Sequence, residues 1–129
     1  MKVLMATDGR EAAEHAVRVA CRVLDLRDGE ITLVSVLDPE DRIGGNENAA
    51  VDLERSVTIL RALGHSASCS LRRGHFVDEI LRAAKEVEAD VIVLGYEGDG
   101  RWIRWLEGSV LDGVLKGWTG STLIVRLPA

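Results

Sequence analysis

Apolar positions recur along this chain with two alternating spacings. Val3, Leu4, Met5 and Ala6 form a continuous apolar run that stops at Thr7-Asp8-Gly9, the pattern of a short strand buried on both faces. From there the spacing changes, and Ala13, Ala16, Val17, Ala20, Val23 and Leu24 share one helical stripe. Glu30-Ile31-Thr32-Leu33-Val34-Ser35-Val36-Leu37 is rich in β-branched residues and ends at Asp38-Pro39, where proline cannot continue a central ladder. Residues 38–48, with Gly44-Gly45-Asn46, read as a linker. Ala50, Leu53, Val57, Leu60 and Leu63 then recur every three or four residues until Gly64, predicting a second helix closed by a glycine.

The remaining chain repeats the alternation. His65 to Arg72 alternates weakly as a third strand, Phe76 to Val87 carries Val77, Ile80, Leu81 and Ala84 as a helical stripe, and Val91-Ile92-Val93-Leu94 is a buried strand ending at Gly95. A glycine-rich loop from Gly95 to Gly108 leads into a fourth helix bearing Val110, Leu111, Val114 and Leu115, and Ser121 to Leu127 is a last strand halted by Pro128. Five strands alternating with four helices predict an α/β fold, because parallel neighbours need helical crossovers and those are right-handed. The expected architecture is a doubly wound five-stranded parallel sheet in the order 3-2-1-4-5, with helices on both faces. That order makes two polar exits neighbours, Thr7-Asp8-Gly9 after the first strand and Gly95-Tyr96-Glu97-Gly98-Asp99-Gly100 after the fourth. Ligands of such sheets sit outside the carboxyl ends of the strands, where the order reverses. At 129 residues and 14.0 kDa the chain is expected to form one domain over residues 1–129.

Charge narrows the functional classes. Sixteen Lys and Arg against 21 Asp and Glu give a net charge of −5, and without a basic cluster in the sequence there is no electrostatic basis for binding nucleic acid. No apolar run approaches the roughly 20 residues needed to span a bilayer, and the opening residues turn polar too early for a signal peptide. A cytoplasmic, soluble protein is the expectation. Cys21 and Cys69 lie among apolar or small residues with no CxxC, so two buried thiols are expected and not a disulfide or metal site. His15 and His65 have no Ser or Cys partner at a readable spacing and are read as solvated or structural, and His75 as a helix-start residue.

Gly95-x2-Gly98-x9-Gly108-Ser109 runs from a strand end into the first turn of a helix. Glycines let the backbone approach an anion, and the free N–H groups of a helix start, with the Ser109 hydroxyl, suit phosphate oxygens. By itself the motif is also compatible with a loop that merely turns the chain and a serine that caps a helix.

The whole pattern resembles the universal stress protein family. Ala6-Thr7-Asp8-Gly9 is similar to its opening signature, Ala89 to Gly95 to its fourth strand, the glycine loop to its ATP-binding motif at all four defining positions, Gly108-Ser109-Val110 with Val114-Leu115 to its fourth helix, and Leu123-Ile124-Val125-Arg126 to its last strand. The resemblance implies that Ala6, Thr7 and Asp8 line the adenosine side, and that Val36 meets the adenine. It also implies that Gly95, Gly98, Gly108 and Ser109 hold ribose and phosphates, with Gly100, Arg101 and Val110 adjacent. The implied ligand is ATP with Mg²⁺, its occupancy serving as a signal in a stress response, with hydrolysis at most slow. The implied assembly is a homodimer formed through the last strand, which is strongly apolar at Leu123, Ile124, Val125 and Leu127 and lacks the usual edge protection.

Three positions depart from the family pattern. Arg10 stands where a serine is usual and places a cation at a helix start. Glu97, Asp99 and Glu107 face only Arg101 and Arg104 across the loop, a balance that repels polyphosphate unless Mg²⁺ or Arg10 offsets it. Thr119-Gly120-Ser121-Thr122 replaces a frequent proline. Trp102 and Trp105, three apart inside the loop, read as a hydrophobic plug beneath it or as a partner-facing patch. The acidic loop and these tryptophans define the alternative function, a nucleotide-free interaction module of the same fold. A P-loop NTPase, a dinucleotide-binding fold and a phosphoacceptor receiver are excluded by the absence of GxxxxGK[ST], of GxGxxG after the first strand, and of an aspartate ending the third strand, which closes Leu71-Arg72-Arg73. No nucleophile, base and orienting acid assemble from the sequence.

Overall fold

Nine elements alternate along the chain in the computed structural model, which describes residues 1–7, 11–37, 39, 49–97 and 108–127, with only the backbone at 11–14, 96–97, 108–110 and 127. They are β1 (Lys2–Ala6), α1 (Glu11–Val23), β2 (Glu30–Leu37), α2 (Ala49–Ala62), β3 (Ser66–Arg73), α3 (Phe76–Glu86), β4 (Val91–Glu97), α4 (Gly108–Gly117) and β5 (Ser121–Leu127). All four strand pairings are parallel, in the order β3-β2-β1-β4-β5. The doubly wound expectation therefore holds. β1, β2 and β3 advance in one direction and β4 and β5 in the other, so right-handed crossovers put α1 and α2 on one face and α3 and α4 on the opposite one. α2 packs on β2 and β3, while α3 packs on β1 and β2 and against α4.

The core is the sheet's own middle. Val3, Leu4, Met5, Leu33, Val34, Ile92, Val93 and Leu94 are buried, and the helices add Ala16, Val17 and Ala20 from α1, Leu53, Val57 and Leu60 from α2, Ile80, Ala83 and Ala84 from α3, and Val114 from α4. Val23 and Leu63, at the ends of their expected stripes, are exposed, because Val23 is the last residue of α1 and Leu63 lies one residue past α2. Cys21 and Cys69 are free thiols but only half-buried, which corrects the expectation of two buried ones. Burial still raises both thiol pKa values above the ordinary 9.0, joined at Cys69 by its hydrogen bond to Glu54.

Two ties fix the amino-terminal edge of the sheet. The Lys2 amide donates to Asp90 Oδ2 at 2.7 Å and the Asp90 amide donates to the Lys2 carbonyl at 2.7 Å, joining β1 to the turn before β4. The Glu30 amide donates to the Met1 carbonyl at 3.0 Å. Gly29 is buried beside that carbonyl, and a Cβ added there would stand 2.6 Å from the Met1 oxygen and 3.2 Å from the Leu26 oxygen. Both obstacles are backbone, so Gly29→Ala is expected to lower stability by about 1–3 kcal/mol, the usual cost of overpacking, measured by urea unfolding.

Candidate functional site

β1 is shorter than both of its neighbours. Its last residue, Ala6, pairs with Val34 of β2 and Leu94 of β4, yet β2 continues through Ser35, Val36 and Leu37, and β4 through Gly95, Tyr96 and Glu97. The extensions pair outward, Val36 with Arg72 and Leu37 with Arg73 on β3, and Gly95 with Val125 and Tyr96 with Arg126 on β5. Three residues of overhang at about 3.3 Å each make a notch roughly 10 Å deep, floored by the end of β1 and walled by β2 and β4. It lies at the carboxyl end of the sheet, at the point where the strand order reverses.

The floor is small and buried. Ala6 is buried, and Thr7, only 3% exposed, donates its amide to the Val34 carbonyl at 2.9 Å, which holds it against β2 one residue past the end of β1. Continuing the register places Thr7 level with Ser35 and Gly95. Ser35 is 2% exposed, and among the described residues its hydroxyl has no hydrogen-bond partner. Buried hydroxyls are ordinarily paired, which sets Ser35 apart from the other polar groups of the sheet. Val36, next along β2, is buried as well. Gly95 lies inside β4, not in the loop after it, because the ladder with β5 carries the strand through Glu97.

Of the residues singled out in the sequence, the structure therefore brings Ala6, Thr7, Val36 and Gly95 to one notch. α4 begins at Gly108, so Gly108, Ser109 and Val110 form its first turn, with no acidic residue in it. Asp8, Arg10, Gly98, Asp99, Gly100, Arg101, Trp102, Arg104, Trp105 and Glu107 lie outside the described residues. Sequence reasoning missed Ser35, whose position in an apolar run looked like ordinary strand filling. Its only signal was being a hydroxyl in the overhang of a strand otherwise built from Val, Leu and Ile.

The nearby cation on β3 is tied to α3. Arg72 donates from Nε to Glu79 at 3.1 Å and from both terminal nitrogens to Glu86 at 2.8 and 3.1 Å, and Arg82 holds the other oxygen of Glu79 at 2.6 Å. The hydrogen bonds from Arg72 hold the Glu86 carboxyl below its ordinary 4.5. This network fastens β3 to α3 and turns three of the five Arg72 N–H donors toward α3. His75 occupies the N-cap position of α3 without a side-chain cap bond. Among the described residues no three His, Cys, Asp or Glu side chains gather as a metal site, and no helix is long and apolar enough to cross a membrane.

A doubly wound parallel sheet in the order 3-2-1-4-5 defines a class of α/β proteins. Within that class the chain belongs to the universal stress protein family, whose model matches residues 1–126. It is 27% identical over 144 aligned positions to Universal stress protein MJ0531 of Methanocaldococcus jannaschii, covering 98% of this chain and 82% of that one. Among solved structures, that of hypothetical protein MJ0577 superposes with a TM-score of 0.79 at 25% identity, covering 97% of this chain and 94% of the other. The universal stress protein of Archaeoglobus fulgidus in complex with dAMP superposes with a TM-score of 0.71 at 25% identity, covering 98% of each chain.

Proposed function

We propose that this chain binds an adenine nucleotide in the notch, ATP with Mg²⁺ in the working state, and that occupancy serves as a signal in a stress response. The observation that carries this reading is the shortened β1, which leaves Ala6 and Thr7 between the overhangs of β2 and β4. The residues there fit such a ligand. Ala6 and Gly95 take up little space, Val36 offers an apolar edge to a purine, and the orphan Ser35 hydroxyl is available to a nucleoside. The first turn of α4 supplies unpaired N–H groups suited to phosphate. Asp8, Gly98, Gly100 and Arg101 would complete the nucleotide's surroundings, with Ser109 and Val110 on the α4 side. Support from relatives comes from the family member solved with dAMP and from another universal stress protein solved with cAMP, the latter at 21% identity. The test is release: protein purified without added nucleotide, denatured in acid and chromatographed, should yield an adenine nucleotide. Absence of any nucleotide in protein that also takes none up on incubation would contradict the reading.

The same proposal includes a cytoplasmic homodimer. β5 pairs with β4 along one edge and has no strand on the other among the described residues, and Ile124 on it is 45% exposed. An unprotected apolar edge is stabilised by pairing with a second copy about a twofold axis. Light scattering should report twice the 14.0 kDa chain mass for the wild type, and Ile124→Lys should shift it to a monomer that keeps its circular dichroism. A wild-type monomer at micromolar concentration would remove the dimer.

A further inference from the structure

We propose that a groove between α1 and the turn closing α2 binds a small phosphate-bearing anion, at a site separate from the notch. The groove encloses ≈ 480 Å³ and is lined by His15, Arg18, Cys21, Arg22, Leu63 and His65, a size within the range of small-molecule sites. His15, Arg18 and Arg22 follow one another at i, i+3 and i+7 and so form one line along α1, while Ala16, Val17 and Ala20 are the buried side of that helix. Leu63 and His65 come from a firmly held turn. The Gly64 amide donates to the Arg61 carbonyl and the His65 amide to the Leu60 carbonyl, each at 3.0 Å, and Gly64 takes φ 90°, a conformation that favours glycine. His15 and His65, read from the sequence as solvated or structural, are both half-buried and both line this groove.

Charge decides what the groove would take. Among the described residues no acid lines it, in a chain whose net charge is −5. Arg27, Arg55, Arg72 and Arg82 are each paired with a carboxylate, whereas Arg18 and Arg22 have no such partner among the described residues. Asp25, one turn beyond Arg22, is held through both oxygens by Arg27 at 3.0 and 2.9 Å. Two like charges four residues apart are mildly destabilising in a helix, and an anion shared between them removes that repulsion. Guanidinium forks match phosphate oxygens in pairs, the imidazoles add ring N–H donors, and Leu63 with Cys21 offers an apolar patch to an organic remainder. His65 directly precedes β3, whose first residue pairs with Glu30 and through it with Lys2. The groove thus lies toward the amino-terminal edge of the sheet, and the notch is at the opposite end.

Cys21 provides the readout. Inorganic pyrophosphate is the probe, N-ethylmaleimide the reagent at fixed pH, and peptide mapping separates Cys21 from Cys69, which lies on β3 outside the groove. Pyrophosphate at ten times its dissociation constant should slow alkylation of Cys21 roughly tenfold and leave Cys69 unchanged. Protection should vanish in Arg18→Gln with Arg22→Gln, where glutamine preserves helix propensity at exposed positions, and circular dichroism checks the fold. It should persist in Gly98→Val, which alters the glycine loop instead. The proposal is overturned by no protection at millimolar pyrophosphate, by equal slowing from sodium chloride of matched ionic strength, by protection that survives in the double variant or is lost in Gly98→Val, or by parallel slowing of Cys69. Protection by a polyglutamate peptide but not by pyrophosphate would overturn it in favour of an acidic protein surface.

Discussion

Leu94→Ala is expected to lower the unfolding free energy by about 2–5 kcal/mol, the range for truncating a fully buried leucine. Leu94 is 0% exposed and lies in β4, paired with Ala6 on one side and Ile124 on the other. Neither neighbour strand can relax into the void, because both are held in register along their length. A domain of this size has roughly 5–15 kcal/mol in hand, so the variant should fold and melt roughly 10 °C lower. It should also leave the overhang of β4 intact, since the pairing from Gly95 to Glu97 is made by backbone. An unchanged melting temperature would mean that the centre of the sheet is packed differently.

Gly98→Val should abolish the response of the intrinsic fluorescence to ATP with Mg²⁺. On the proposed binding mode the glycine loop bearing Trp102 and Trp105 closes on the phosphates, whereas Trp118 is tied at the far end of α4 by its indole N–H to the Ser121 carbonyl at 2.9 Å. Trp118 therefore contributes a constant background, and a nucleotide-dependent change reports the loop. A branched side chain at position 98 would stand where the backbone has to approach the phosphates. Removing negative charge should act oppositely. Glu97→Gln with Asp99→Asn is expected to strengthen binding by about 1 kcal/mol, roughly fivefold in affinity, the order of magnitude of an ordinary surface charge interaction. Weaker binding in that double variant would instead assign the two acids to the metal.

The strands were legible in the sequence because burial on both faces demands continuous apolar runs, and such runs have few other readings. Glu30–Leu37 and Ser121–Leu127 fall where Pro39 and Pro128 stop the ladder, and their bounds are as expected. The strand order followed from the alternation of elements and from the two polar exits, after the first and fourth strands, that this order makes neighbours. What the sequence did not reveal is relative strand length. Nothing in Val3 to Ala6 says that β1 stops three residues short of its neighbours, because that depends on register across the sheet. For the same reason Gly95 read as the start of a loop, although β5 holds it in a strand, and Ser35 read as filling. The groove on α1 was invisible for a related cause. His65 is 43 residues from Arg22, and only the packing of two helices on one face brings them together.

The central claim is that the notch holds an adenine nucleotide, and calorimetric titration of ATP with Mg²⁺ into nucleotide-free protein tests it most directly. A saturable heat at one nucleotide per chain is expected, lost in Gly98→Val and retained in the Arg18→Gln, Arg22→Gln variant. No heat at millimolar ATP, in the wild type and in the Glu97→Gln, Asp99→Asn variant alike, would contradict it and leave the acidic loop as a surface for another protein.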